Sequence, residues 1–305
     1  MELCYTAFDE AVQGLCCEWV ANEPMSRHTT FQIGGPADRF VTVTTLAQLQ
    51  GVLRVLQKEQ LPFMILGRGS NLLVSDKGIR GVVLALAGDF KKVMLVDQGL
   101  IRAGAGASLA SVCSFAREHG LTGLEFAWGI PGSVGGAAYM DAGAYGGEMR
   151  DVIERVYHLT KGGNLGSAAG DALEFGYRKS RYTGGTDVIT FIEFRLHKGD
   201  AAQIAAQMDD LMQRRKTKQP YDMPSAGSVF KRPEGAYAAA LIEECGLKGR
   251  QVGGAQVSPK HAGFIVNTGG ATCADVGELI RQIQEEVYEK KGIRLEREVR
   301  MTGEE

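Results

Sequence analysis

Apolar positions recur at helical spacing in several places along the chain. Phe8, Val12, Leu15 and Trp19 share one face of a segment from Thr6 to Val20, and Thr6 with Asp9 has the spacing of a capping box. Leu46, Leu49, Leu53 and Leu56 predict a second amphipathic helix capped by Thr45. Ser108 to His119 predicts a third, stopped by Gly120. Short apolar runs (PFMIL, NLLVS, GVVLAL, KKVMLV and LIRAG) come between, separated by turns such as DKG and DQG, and predict strands. Further strands are expected at Arg39–Thr44, Val152–Thr160 and Val188–Leu196. In the last, Ile192, Phe194 and Leu196 alternate with Glu193 and Arg195, which predicts one buried face.

Beyond Asp200 the pattern changes. Ile204, Met208, Leu211 and Met212 line a helix that must end before Pro220. A short helix is expected over Tyr237–Cys245, a strand at GFIVN, and a helix carrying Val276, Leu279, Ile280, Ile283 and Val287 as far as Gly292. IRLEREVR closes the chain as a strand. The class is α+β, with a strand-rich middle and a βα-type C-terminal region. The 305 residues exceed what one core usually fills.

Composition narrows the function. A net charge of −2 offers no basic surface for nucleic acid. No run of about 18 apolar residues predicts a membrane span, and MELCYTAFDE has no apolar signal core, so a cytoplasmic location is expected. The six cysteines form no C-x-x-C pair and read as small hydrophobes in a reducing compartment. The five histidines show no ligand spacing, so no metal site is expected. Glycine is the outlier: 41 of 305 residues, nearly twice the average of about 7%. These glycines cluster in loops, above all in GIPGSVGGAAYMDAGAYGG from Gly129 to Gly147.

A nucleotide site is the obvious reading of such loops. GRGSNL from Gly67 and GAGASL from Gly104 resemble G-x-G-x-x-G, but both carry leucine at the third glycine, and neither has the acidic residue expected about 20 positions on at the end of a second strand of a βαβ unit. There is no P-loop and no G-x-S-x-G elbow. For one loop alone, tight packing of strands and turns is the simpler explanation. Two loops of accessible N–H groups favour a pyrophosphate, and hence a dinucleotide.

GRGSNLLV at 67–74, GIPGSVGGA at 129–137 and DAGAYG at 141–146 resemble the flavin-binding loops of the UDP-N-acetylenolpyruvoylglucosamine reductase family. HTTFQIGGPA at 28–37 is similar to the family's N-terminal signature. YRKSRY at 177–182, PSAGSVFKRP at 224–233 and LEREVR at 295–300 are similar to its active-site segments. The resemblance runs in order over nearly the whole chain, and the short region after Asp200 resembles the family's shorter form.

The resemblance implies a two-part FAD-binding region of the vanillyl-alcohol-oxidase type and a C-terminal α+β substrate domain. Divisions are expected at 1–91, 92–199 and 200–305. It implies non-covalent FAD, NADPH as co-substrate, and UDP-N-acetylglucosamine enolpyruvate entering the same cleft after NADPH leaves. No protein partner is implied. The FAD contacts carried over are Gly67, Arg68, Gly69, Ser70, Asn71, Leu72, Pro131, Gly132, Ser133, Gly135, Gly136, Ala142 and Gly143.

Three catalytic roles follow from the same resemblance. Arg178 holds the substrate carboxylate, because guanidinium binds it through two parallel hydrogen bonds. Ser228 gives a proton to C2. Glu298, pointing away from the Ile293, Leu295 and Val299 face if the strand is regular, stabilises the enolate as a protonated carboxyl. Tyr177, Lys218 and Arg232 are the candidate substrate contacts, the last two at the diphosphate. Outside the motif context, each residue has a plainer reading: a surface salt bridge, a turn serine, an exposed carboxylate, a solvated basic run.

Two other functions compete. A flavin oxidase of the same superfamily would use O₂ and often tethers FAD to histidine or cysteine, which these loops lack, although His28 lies upstream. A nucleotide-sugar binding protein would keep the glycine loops but would not need Arg178, Ser228 and Glu298 together.

Overall fold

In the computed structural model, residues 3–304 are described. Their contacts divide the chain into two compact units. The first holds the chain up to Ala21, Arg39–Arg68 and Gly81–Gln213; the second holds Asn22–Asp38, Gly69–Arg80 and the chain from Arg214 on. This grouping departs from the contiguous divisions expected at 91/92 and 199/200. Two early segments contribute side chains to the later core: Phe31, Ile33 and Leu73 are buried with Val229, Ile265, Ile280 and Val299.

Most of two sheets lies in the first unit. One has the order Glu18–Pro24, Pro36–Val43, Ile79–Leu86, Phe63–Leu66, and its last pair is parallel. The other is antiparallel, in the order Leu165–Ala169, Ile153–Leu159, Val188–Arg195, Leu100–Gly104, Val93–Asp97. The helix Leu46–Lys58 buries Leu49, Val52, Leu53 and Leu56, and the expected Thr45 cap forms a full capping box with Gln48. The helix Leu109–Glu118 is capped by Ser108, whose Oγ accepts from Ser111 N.

Three expectations are corrected here. The first helix runs only Thr6–Gly14, not to Val20. Gly14 is a poor helix residue, Cys16 takes the left-handed conformation at φ 55°, and Trp19 lies in the strand Glu18–Pro24. Thr6 and Asp9 form no capping box, because Thr6 is already the first helical residue and Tyr5 is the N-cap; the Asp9 carboxylate instead takes two charge-assisted bonds from Arg39 at 2.7 and 2.8 Å. Strand Val188–Arg195 is covered on both faces: Glu193 is buried, held by Arg102 Nε at 3.0 Å and near the Tyr157 hydroxyl at 3.3 Å.

The second unit pairs Ser225–Ser228, Phe264–Asn267, Ala255–Val257 and Gln251–Val252 in one antiparallel sheet. Helix Cys273–Lys291 lays Val276, Leu279, Ile280, Ile283 and Val287 into the core and stops at Gly292, φ 70°. IRLEREVR is a strand only at its end: Arg300–Thr302 pairs in parallel with Leu72–Val74. The preceding stretch makes one isolated bridge, Arg297 to Phe230. Its burial does not alternate: Leu295 and Val299 are buried, while Arg297 between them is exposed.

Segment 69–80 also caps the long helix. Asp76 accepts from Cys273 N at 2.8 Å and Ala274 N at 3.0 Å, beside the Thr272–Asp275 capping box. A carboxylate there satisfies orphan N–H groups and meets the positive end of the helix dipole. Asp76→Ala is expected to lower stability by about 1–2 kcal/mol, seen as a shifted urea midpoint with an unchanged slope.

His158 titrates with a predictable sign. Burial pushes its pKa below the ordinary 6.5; Asp187 opposes this and Arg181 adds to it. The unfolded chain therefore takes up a proton at about pH 6.5 while the native state does not. Stability is full above that pH and falls as pH drops through it toward the lowered native value. Urea titrations at several pH values should show a shallower fall for His158→Asn over that window.

Candidate functional site

Within the first unit the glycine loops interlock. Ser133 caps the short helix Val134–Tyr139, accepting from Gly136 N at 3.2 Å. A β-carbon at position 67 would overlap the Ser133 hydroxyl oxygen, and one at position 135 would stand 2.8 Å from Ala105 Cβ. Gly135 N donates to Ala105 O at 2.8 Å, and Val134 N to Ala107 O at 2.9 Å. In GAGASL, Gly104 and Gly106 are crowded by the carbonyls of Phe90 and Leu86. Much of the glycine enrichment is therefore the chain making room for itself.

What remains open is narrower. Gly67, Arg68, Pro131 and Gly136 are exposed, and a β-carbon at Gly132 would meet only Leu109 and Ile130 at ordinary distances. Among the described residues, no protein acceptor takes the N–H groups of Gly67 and Arg68. Open backbone donors with one arginine beside them fit a pyrophosphate-bearing cofactor. Ser133 and Ala142 are buried, and Gly143 is closed in by Glu148, so these residues shape the loop. Asp141, with φ 45°, is buried; burial raises its pKa, while Arg150 N at 2.9 Å and the Arg150 guanidinium at 2.9 Å pull it back.

Arg178 sits at the tip of a tight hairpin in the same unit. Gly176 and Lys179 exchange both backbone bonds, at 3.0 and 2.9 Å. Arg178 itself has φ 58°, a conformation suited to glycine or asparagine. The guanidinium lies 5.1 Å from the ring centre of exposed Tyr177. Sequence reading missed the hairpin's anchors. Ser180 Oγ donates to Tyr139 O at 2.7 Å, Thr183 Oγ1 to the same carbonyl at 3.1 Å, and Gly184 N to the Tyr139 hydroxyl at 3.0 Å. Nothing in the sequence pairs Tyr139 with residues some forty positions away.

In the second unit Ser228 and Glu298 are brought together. The N–H groups of Glu298 and Val299 both donate to Val229 O, at 2.8 and 3.3 Å, so Glu298 runs beside the residue next to Ser228. Ser228 is exposed at the end of its strand, and Glu298 is half-buried. Asn71 Nδ2 donates to Glu298 O at 3.2 Å, and Arg300 N to Asn71 O at 3.0 Å. Asn71 thus ties the 69–72 loop to the Glu298 segment.

Gly69 is pressed against the His28 carbonyl, and Thr30 Oγ1 donates to Ser225 O at 2.7 Å. Asn267 Nδ2 donates to Phe31 O at 3.1 Å. The 28–37 signature therefore braces the strand that carries Ser228. Among the described residues no protein acceptor takes the N–H groups of Gly69, Ser70 and Asn71. Lys218 is exposed at the helix end, and the Arg232 guanidinium stacks over Tyr237 at 4.0 Å. Of the three catalytic candidates, Arg178 belongs to the first unit, and Ser228 and Glu298 to the second.

Four of the six cysteines (Cys17, Cys113, Cys245 and Cys273) are buried, and all six are free. Among the described residues no helix is long and apolar enough to cross a membrane, and no cluster of three metal-ligating side chains occurs.

Known proteins resemble this chain along most of its length. Residues 37–168 match the FAD binding domain family, and residues 219–302 match the C-terminal domain of UDP-N-acetylenolpyruvoylglucosamine reductase. The chain is 49% identical to the UDP-N-acetylenolpyruvoylglucosamine reductase of Caldanaerobacter subterraneus subsp. tengcongensis, over 93% of both chains. It is 48% identical to that of Clostridium botulinum strain 657, over 93% of this chain and 92% of the other. The crystal structure of the Thermus caldophilus reductase superposes with a TM-score of 0.81 at 38% identity, covering 93% of this chain and 98% of that one. A berberine bridge enzyme variant, at 12% identity and TM-score 0.51 over 65% of this chain and 44% of its own, shares the fold. With its α+β fold, its FAD-binding region and its C-terminal domain all accounted for, the chain belongs to the UDP-N-acetylenolpyruvoylglucosamine reductase family.

Proposed function

We propose that this chain reduces the enolpyruvyl group of UDP-N-acetylglucosamine enolpyruvate to give UDP-N-acetylmuramate, the peptidoglycan precursor, in the cytoplasm. NADPH and the sugar nucleotide use one cleft in turn. The observation that carries this reading is the pairing of the Ser228 and Glu298 segments through Val229, in a chain of this family.

FAD is held non-covalently, since its loops contain no histidine or cysteine. Gly67 and Arg68 supply open N–H groups and one cation, and Gly132 and Gly136 supply bare backbone surface; Gly69, Ser70 and Asn71 add a second run of donors, with Leu72 beside them. When bound, FAD supplies the hydride for C3 of the enolpyruvyl group, drawn from NADPH.

The chain's own residues manage the charge that results. Arg178 clamps the substrate carboxylate with two parallel hydrogen bonds, fixing the plane of the enolpyruvyl group and favouring negative charge on it. Glu298, as a protonated carboxyl, donates a hydrogen bond to the enolate as the electron pair of the former double bond moves onto C2 and the carboxylate. The Ser228 hydroxyl then gives its proton to C2 and is reprotonated from solvent, so that hydride and proton have added across the double bond and the serine is restored. A serine is a weak acid, but an enolate carbon is basic enough to take its proton at close range. Tyr177 borders the sugar nucleotide, and the exposed cations Lys218 and Arg232 hold its diphosphate.

Anaerobic stopped-flow spectra test the assignment. Ser228→Ala should be bleached by NADPH at the wild-type rate, while reoxidation by the enolpyruvyl substrate slows by about a hundredfold or more. Fast reoxidation would remove Ser228 from the mechanism. Arg178→Lys keeps the charge but loses the planar fork, and should slow the same half-reaction by about a hundredfold. Recovery of flavin colour with O₂ alone, and never with the sugar nucleotide, would favour an oxidase.

A further inference from the structure

The roles above leave unused a buried polar pair at the root of the Arg178 hairpin. Tyr182 is only 1% exposed, and its hydroxyl lies 2.9 Å from His158 Nδ1. The two rings meet edge to face, centroids 5.4 Å apart. His158 is buried on strand Ile153–Leu159 opposite Gly166, where any side chain would overlap the imidazole. Its Nε2 is 3.5 Å from Asp187 Oδ2, which also faces Arg181 Nη2 at 3.6 Å.

Burying a phenol and an imidazole is costly unless they satisfy each other, and an apolar pair would fill the same space without a directional demand. The direction therefore has a use. Tyr182 N donates to Ser180 Oγ at 3.3 Å, Ser180 Oγ donates to Tyr139 O, and Arg181 N donates to Leu173 O at 2.9 Å. Both ends of the turn after Arg178 are thus pinned, and Arg178 at φ 58° needs such outside support to stay in place.

We propose that Tyr182, locked by its hydrogen bond to His158, is a positioning residue for Arg178: it fixes the base of the 176–179 hairpin so that the guanidinium presents one orientation to the substrate carboxylate. This rests on the role given to Arg178 above.

Tyr182→Phe keeps the ring and removes the hydroxyl. Three readouts test it: amide exchange of Gly176 and Lys179 in the protein without substrate, the two flavin half-reactions, and the same half-reactions in an Arg178→Lys background. The expected result is faster exchange at both amides, an unchanged NADPH step, and reoxidation slowed about tenfold, within the range that small misplacements cost. In the Arg178→Lys background the added loss should fall below about twofold, because the two act as a unit. Ser180→Ala should show the same pattern, and it takes the place of Tyr182→Phe if that variant does not fold.

Wild-type reoxidation in both variants would overturn the inference, as would the same tenfold loss with or without Arg178, which would mark Tyr182 as structural support only. Fast reoxidation in Arg178→Lys alone would overturn the catalytic role of Arg178 itself, and this inference with it.

Discussion

A β-carbon at position 67 has nowhere to go: Ser133 Oγ already occupies the space. The same is true at position 135 against Ala105, and at 104 and 106 against the carbonyls of Phe90 and Leu86. Backbone laid this close against its neighbours is the constraint on which the first unit's proposed site depends. It lets strand ends and the short helix Val134–Tyr139 come close together, with the N–H groups of Gly67 and Arg68 left open beside them among the described residues. Lysines in their place would bring charge but would also hold the segments apart by the length of their side chains. Electrostatics is thus delegated to peptide dipoles, with Arg68 as the local cation.

The substrate side follows a different logic. Arg178 occupies a backbone conformation that a glycine would adopt at less cost, and the chain compensates with hydrogen bonds from residues 180 to 184 to Tyr139. Ser228 and Glu298 are placed by main-chain bonds instead: Glu298 N and Val299 N converge on Val229 O, beside a strand end made irregular by Gly227 at φ 75°. The group proposed to clamp the carboxylate is anchored through side chains, the other two through backbone. Side-chain changes around the hairpin should therefore be felt at Arg178 more than comparable changes are felt at Ser228.

Much of this was legible in the sequence, for identifiable reasons. The helices at 46–58, 109–118 and 273–291 carry strong periodicity and real caps, and they form where the pattern puts them. Thr6–Val20 misled because its apolar spacing continues past Gly14 although the chain turns there. Glu193 misled because an alternating strand hides a carboxylate equally well when Arg102 is across the sheet. The glycine loops pointed to the right cofactor, but partly for the wrong reason, since close packing accounts for many of them. The His158–Tyr182 pair was invisible: YRKSRY contains Tyr182, but nothing in it points to a histidine 24 positions earlier on strand Ile153–Leu159.

The second unit is assembled from three stretches that are far apart in the chain. Asp76 waits for a helix N-terminus 197 residues later, and Asn71 for a carbonyl 227 residues later. Closing loops of that span is slow, because the entropy is lost before any contact repays it. On the ribosome, the stretches 22–38 and 69–80 must stay without their native core until almost the last residue has been made. Their apolar side chains Phe31, Ile33 and Leu73 are exposed for that whole interval. A chain cut short before residue 300 would leave Leu72–Val74 as an uncovered strand edge, so premature termination in this protein should yield aggregates and not a working N-terminal fragment.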